Sequence, residues 1–182
     1  MALYLALLRG INVSGQKLIK MDALRALFEA QGCDNVKTYI QTGNVIFDHR
    51  EEDADKMKQM IEAFIEKEYG FFVPTIIRSR DEMNAVLEAN PYLERQDANV
   101  KQIYIAYLER TPTKEEVEAL LTATNENEEA MVIGNEAWLF YRLGAGKAKL
   151  SNAVLERKMK IKATMRNWNT TNKLVALLSD RK

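Results

Sequence analysis

The sequence is poor in the residues that most often perform covalent or metal chemistry: it has one cysteine, Cys33, and one histidine, His49, among 182 residues. A single cysteine excludes an internal disulfide and any cluster held by several thiolates. A single histidine excludes a site built from several imidazoles. Cys33 follows the C-terminus of a predicted helix, where the helix dipole disfavours a thiolate. We therefore expect no metal and no cofactor, with Mg²⁺ binding by carboxylates alone as the remaining alternative, and the sequence does not decide whether the protein is an enzyme.

Long apolar runs and export signals are also lacking. No stretch approaches the roughly 18 apolar residues that a membrane-spanning helix needs. The N-terminal segment MALYLALLR has neither a basic start nor a small-residue cleavage site, as a secretory signal would. We expect a cytoplasmic protein without a membrane partner.

No charge of one sign dominates, since 26 basic residues balance 26 acidic ones, but the distribution is uneven. Basic residues prevail in segments 1–20 and 142–173, and acidic residues in segments 51–55 and 115–129. A local basic surface on a neutral protein suits a small anionic ligand better than extended duplex DNA. The alternative is a solvated, helix-rich surface with no ligand.

Hydrophobic periodicity predicts two similar successions of strands and helices. The first has strands at 2–9, 36–40, 44–48 and 71–78, a helix from Met21 to Gly32 and a helix ending at Gly70. The second has strands at 101–109, 130–133 and 136–143, a helix from Pro112, a helix capped by Ser151 and a last helix near 171–179. Pro74 places the strand at 71–78 on a sheet edge because proline cannot donate to a ladder.

These patterns predict an α+β fold of two tandem ferredoxin-like (βαββαβ) halves, the second with a modified C-terminal end. The predicted bounds are 1–79 for the first half and 80–99 for a connecting helix and linker. The second half, with an extra C-terminal helix, occupies 100–182. Several strands are apolar on both faces, so the second face of each sheet needs a cover: the other half, a second subunit or stacked bases.

The strand order predicts that two polar segments meet at one sheet edge. The loop after the first strand and the turn between the second and third strands lie at the same end of the sheet. The predicted loop residues are Arg9, Gly10, Asn12, Ser14, Gly15 and Lys17, and the turn residues are Gln41, Thr42, Gly43 and Asn44. Exposed backbone N–H groups with arginine and lysine favour an anion. Alternatively, the glycines serve turns with positive φ and the asparagines satisfy nearby backbone groups.

A later segment, RNWNTTNKL at 166–174, adds two candidate ligand groups, Arg166 and Asn167. In this segment we expect Asn169 or Thr170 to cap the last helix and Trp168 to pack against the core. The loop at 142–151 resembles a phosphate-binding loop only superficially. Its first glycine would have to be Tyr141, and Ala148 occupies the position of the Mg²⁺-binding hydroxyl, so a Walker-type NTPase is excluded.

Four segments carry a resemblance to a known family: RGINVSG at 9–15, IKM at 19–21, YIQTGNV at 39–45 and RNWNT at 166–170. They are similar to signature segments of an uncharacterised bacterial family, domain of unknown function 1697. The sequence departs from that pattern at Ser14, where glycine is common, and at Thr42, where serine is common. The resemblance implies an α+β protein with ferredoxin-like repeats and no established activity.

The leading hypothesis is a binding protein for a small anionic ligand, a nucleotide or a phosphorylated metabolite, at the edge formed by the loop and the turn. One alternative is an enzyme of unknown reaction using the same site. Others are a protein-interaction module and a nucleic-acid-binding protein in which Tyr104, Tyr107, Trp138 and Phe140 stack bases on an open sheet face. The sequence sets no oligomeric state.

Overall fold

The computed structural model describes residues 1–181 and is α+β, with two four-stranded antiparallel sheets that are each accompanied by helices. The strands are β1 Ala2–Leu8, β2 Asp34–Tyr39, β3 Asn44–His49, β4 Thr75–Ser79, β5 Ile103–Leu108, β6 Glu128–Ile133, β7 Glu136–Tyr141 and β8 Ala163–Asn167. The helices are α1 Met21–Ala30, α2 Ala54–Tyr69, α3 Arg80–Glu88, α4 Lys114–Leu121, α5 Asn152–Met159 and α6 Trp168–Ser179. Short 3-10 turns occupy Val100–Gln102 and Ala145–Lys147. The predicted α+β class is confirmed.

The chain divides into two compact units. The first contains Met1–Met83 and the C-terminal residues from Ala176, and the second contains Asn84–Val175. The boundary between residues 83 and 84 lies inside α3, within the segment 80–99 for which the sequence predicts a connecting helix and linker.

The first sheet has the order β2-β3-β1-β4, with every neighbouring pair antiparallel. In this register Leu7 lies opposite Asn44, and Leu5 lies opposite Arg78. Strand β4 is an edge strand and begins directly after Pro74, as the missing N–H of proline predicts. Since β3 is the antiparallel neighbour of β1, the end of β1 lies beside the start of β3.

Helices α1 and α2 form because apolar residues recur at helical spacing, and both bury them against the first sheet. Leu24 and Phe28 of α1 belong to the same buried cluster as Phe47 of β3. The Asp53 side chain caps α2 by accepting from the N–H groups of Asp55 and Lys56. The apolar stripes are local features, which is why the sequence predicts both helices.

The second sheet has the order β6-β7-β5-β8, also antiparallel throughout. The predicted modification of its C-terminal end is wrong, because β8 pairs with β5 as β4 pairs with β1. Helix α6 then follows β8 directly, as α3 follows β4. The strand β8 reads ATMRN, a mixture of small, polar and charged residues with weak strand propensity. Its pairing with β5, rather than its own composition, makes it a strand.

Both faces of the central strands are buried. In the second sheet Tyr107 and Trp138 are 0 % exposed. Within that unit α6 covers them: Thr171 lies 3.0 Å from the Tyr107 hydroxyl, and the rings of Trp168 and Trp138 are 5.8 Å apart. With Phe140 also buried, this face does not present the open aromatic platform that base stacking requires. Among residues 1–181, no helix combines the length and apolar character needed to cross a membrane.

Candidate functional site

The structure brings the loop after β1 and the turn between β2 and β3 together in the first unit. The N–H of Leu8, the last residue of β1, donates to the carbonyl of Gly43 at 2.8 Å. A Cβ added at Gly43 would lie 2.7 Å from Leu8 Cβ and 2.8 Å from Ile11 Cδ1. Gly43 has a φ of +84°, so both its backbone conformation and this close approach require glycine. The turn therefore packs directly on the start of the loop.

Asn12 connects the loop to the turn with its side chain. Its Nδ2 donates to the carbonyls of Ile19 and Gln41, each at 2.9 Å, and its Oδ1 accepts from the N–H of Ile19 at 2.9 Å. One asparagine thus closes the loop on itself and joins it to a residue 29 positions further along. Asn12 also has a φ of 55°, a conformation that asparagine tolerates better than most residues.

Asn44 has an equivalent role inside the turn. Its side chain is fully buried, and its Nδ2 donates to the Tyr39 carbonyl at 2.9 Å and to the Thr42 hydroxyl at 3.1 Å. These two contacts span the turn between β2 and β3. Asn12 and Asn44, both predicted to contact a ligand, therefore use their amide groups to build the site.

Both basic residues of the loop make a hydrogen bond to the segment that precedes β4, Lys17 through its side chain and Arg9 through its backbone. The Lys17 ammonium donates to the Phe72 carbonyl at 2.6 Å and lies 6.0 Å from the centre of the Phe71 ring. The backbone N–H of Arg9 donates to the Pro74 carbonyl at 2.9 Å. An ammonium group has three donors, so Lys17 can still bind an anion while it holds Phe72.

Gly10, Ser14 and Gly15 complete the loop as exposed residues. Their backbone N–H groups make no hydrogen bond to any of residues 1–181. All three have positive φ, at 71°, 50° and 74°. Exposed N–H donors beside arginine and lysine form an environment that favours an anion.

Backbone strain is concentrated in these two segments. Among residues 1–181, six residues other than glycine have a positive φ, and four of them lie in the loop or the turn. The four are Asn12, Ser14, Lys17 and Ile40. Strained backbone persists only where the surroundings impose it, and it is frequent at functional sites.

Arg166 and Asn167 lie in β8 of the second unit. Arg166 is buried, and its guanidinium donates to the Thr164 hydroxyl and to the Met165 carbonyl, both at 2.8 Å. Burial lowers the pKa of Arg166 to about 10, against a smaller opposing effect of Tyr107. The Asn167 side chain accepts from the N–H of Thr170 at 2.8 Å at the start of α6. The expected cap at Asn169 or Thr170 is thus wrong, because the helix begins at Trp168, three residues earlier than its apolar pattern indicates.

The loop at 142–151 borders a cavity of about 310 Å³ in the second unit. Its wall includes Glu128, a buried carboxylate that the sequence analysis did not single out. Glu128 accepts from the N–H groups of Lys149 and Leu150, which anchors the loop to the start of β6. Part of the basic excess in this region is neutralised, since Arg142 pairs with Asp97 and Glu129. This neutralisation of Arg142 is visible only in the tertiary structure, because Asp97 and Glu129 lie far from Arg142 in the sequence.

The single cysteine and the single histidine of the sequence both have structural roles. Cys33 is buried, and this burial, with a smaller contribution from Asp34, raises its thiol pKa to about 12. The Nδ1 of His49 accepts from the N–H of Glu51 at 3.0 Å. Within residues 1–181, no three side chains of the His, Cys, Asp and Glu types are arranged to hold a metal ion.

The protein is therefore an α+β protein with two antiparallel sheets. A glycine-containing basic loop lies at one edge of the first sheet, where it meets the turn between β2 and β3. Residues 1–138 match the family described as "Protein of unknown function (DUF1697)", and the chain belongs to this family. The resemblance carried by the segments at 9–15, 19–21 and 39–45 is confirmed.

Among solved structures, the chain is similar to the conserved bacterial protein SP0830 from Streptococcus pneumoniae. The TM-score is 0.72 at 22% sequence identity, and the match covers 98% of this chain and 99% of that chain. This likeness concerns the fold. No curated protein matches the sequence.

Proposed function

We propose that this protein binds a small anionic ligand, a nucleotide or a phosphorylated metabolite, at the junction of the loop 9–17 and the turn 41–44. The observation that carries the proposal is the set of backbone N–H groups at Gly10, Ser14 and Gly15, which have no acceptor among residues 1–181. They share their loop with Arg9 and Lys17, and charge-assisted hydrogen bonds to phosphate are the stronger kind.

Roles within this site follow from the contacts. Asn12 and Asn44 hold the two segments in place, and Gly43 permits their close approach. Arg9, Lys17 and the exposed N–H groups are the donors offered to the ligand. A preformed scaffold of this kind lowers the entropic cost of binding, because the loop is ordered before the ligand arrives.

We also propose that both units have the ferredoxin-like fold. The support is the strand order, in which the second and fourth strands lie at the edges and the third and first lie at the centre. In each unit one helix connects the first two strands and another connects the last two. That arrangement is the split βαβ pattern of the ferredoxin-like fold.

Thermal-shift measurements and calorimetry with inorganic phosphate and adenine nucleotides test the ligand proposal. We expect at least one of these anions to stabilise the wild type, and Arg9→Ala to weaken its binding about tenfold or more, as loss of a charged hydrogen bond does. Arg25→Ala is the matched control, since Arg25 is an exposed arginine of the same unit whose one ion pair within residues 1–181 is with nearby Asp22.

Equal affinities for wild type and Arg9→Ala would contradict the proposal, as would the absence of binding by any of these anions. Turnover of a bound nucleotide that is lost in Arg9→Ala would extend the proposal from binding to catalysis.

A further inference from the structure

The edge that carries the loop is apolar as well as basic. Three segments meet there: 9–20, 39–43 and 70–74, which we call the basic-apolar edge. Asn12 joins the first to the second through Gln41, and Lys17 joins the first to the third through Phe72. Among residues 1–181 there are eleven exposed large apolar side chains, and four lie in these segments. They are Val13 at 55 %, Leu18 at 66 %, Ile40 at 43 % and Phe72 at 45 % exposed.

Three of these residues are direct chain neighbours of the residues that form the Asn12 side-chain contacts. Val13 is the next residue after Asn12, and Leu18 and Ile40 directly precede Ile19 and Gln41, the two residues to which the Asn12 side chain donates. Exposed apolar residues scattered singly are ordinary on protein surfaces, but a contiguous group marks an interaction surface.

Ile40 provides an independent observation. It has a φ of 49°, a left-handed conformation that is an outlier for a β-branched residue. Glycine or asparagine would satisfy this backbone position with less strain and would expose no apolar surface. Ile40 is thus unfavourable in the isolated protein on two counts. A residue that combines strain with apolar exposure is better explained by a contact made in a complex.

The charge of this edge indicates the chemistry of its partner. The three segments contain Arg9, Lys17 and Lys20 and not one aspartate or glutamate. Among residues 1–181, neither Lys17 nor Lys20 forms an ion pair. Two copies pairing symmetrically through this edge would bring these cations against one another, and such like-charge contacts are costly.

We propose that the basic-apolar edge docks a polypeptide segment of another protein, one in which apolar side chains alternate with or adjoin carboxylates. The apolar side chains pack on Leu18 and Ile40, and the carboxylates face Lys17 and Lys20. The apolar part of this surface is separate from the anion site, because Val13, Leu18, Ile40 and Phe72 are not among the residues assigned to the small ligand, whereas Lys17 is common to both.

Panning a displayed library of random peptides on the full chain tests this docking surface. We expect the enriched peptides to combine apolar residues with aspartate or glutamate. In fluorescence polarisation with the best peptide, Leu18→Ser together with Ile40→Gly should weaken binding about tenfold or more, as loss of central apolar contacts does. Lys20→Glu should also weaken it, and added salt should weaken wild-type binding.

Leu121→Ser is the matched control, because Leu121 is 44 % exposed but lies on α4 in the second unit. Circular dichroism and the melting temperature show whether the variants fold. Val13→Ser, at a loop position that is 55 % exposed, replaces the double variant if that one does not fold. Equal binding by wild type and variants overturns the proposal, as does enrichment without acidic residues. Self-association, or binding to phosphatidylglycerol vesicles, that the apolar variants abolish would overturn it in favour of a second copy or a membrane.

Discussion

Replacing Asn12 by alanine tests whether the loop and the turn hold each other. The substitution removes three hydrogen bonds, two to Ile19 and one to Gln41. Each of the two part-buried bonds to Ile19 contributes about 1 kcal/mol net and the exposed bond to Gln41 contributes less, so the loss is about 2–3 kcal/mol. Alanine is also less tolerant than asparagine of the φ of 55° at this position, which adds about 1 kcal/mol. We therefore expect the free energy of unfolding to fall by about 3–4 kcal/mol.

Urea denaturation measures the overall change, and amide hydrogen exchange measures its location. The N–H of Ile19 is the diagnostic group, since its acceptor is the Asn12 side chain itself. In Asn12→Ala this amide should exchange faster, while amides of β5 in the second unit should be affected only through global unfolding.

Asn12→Gly is the matched control for the backbone contribution. It removes the same side chain but accommodates positive φ, so it should be less destabilising than Asn12→Ala. If Asn12→Ala unfolds with wild-type stability and leaves the exchange of Ile19 unchanged, the loop and the turn do not depend on this side chain. The assignment of Asn12 as the connection between them would then be wrong.

Two further predictions concern buried groups. Gly43→Ala should cost about 2–3 kcal/mol or more in denaturation, since the added Cβ meets Leu8 and the φ is positive. Gly15→Ala, with similar φ but no atom within 4 Å of the added Cβ, should cost only about 1 kcal/mol, and equal costs would refute the packing argument. Cys33 should react with a thiol reagent only after unfolding, because its pKa of about 12 keeps it protonated in the folded state. Since the pKa of the Cys33 thiol is raised in the folded state, the free energy of unfolding should decrease as pH rises above the ordinary thiol pKa of 9.0. The Cys33→Ala variant should show a smaller decrease. Rapid labelling of the native protein at neutral pH would contradict the prediction for Cys33.

Much of the secondary structure could be predicted because its signals are local. The stripe of Leu24 and Phe28 in α1 and the glycine that ends α2 act within a few residues of themselves, so periodicity and helix-end rules identify α1 and α2. Strand β8 could not be predicted with the same rules. It depends on pairing with β5, a strand more than fifty residues away in the chain, and its own composition favours no structure strongly.

For the candidate site, too, the local features could be predicted from the sequence and the tertiary contacts could not. By itself the sequence determined that a glycine-containing basic loop and a polar turn occur where the strand order brings them to one edge, because the direction of each strand follows from the connections. Only the tertiary structure decided what these residues do there. The partners of Asn12 and Asn44, the packing of Gly43 on Leu8 and the exposure of Ile40 depend on strand register and on atoms distant in sequence. The loop and the turn therefore hold each other through their asparagines, and their exposed N–H groups, cations and apolar side chains are the surface presented to a ligand or partner.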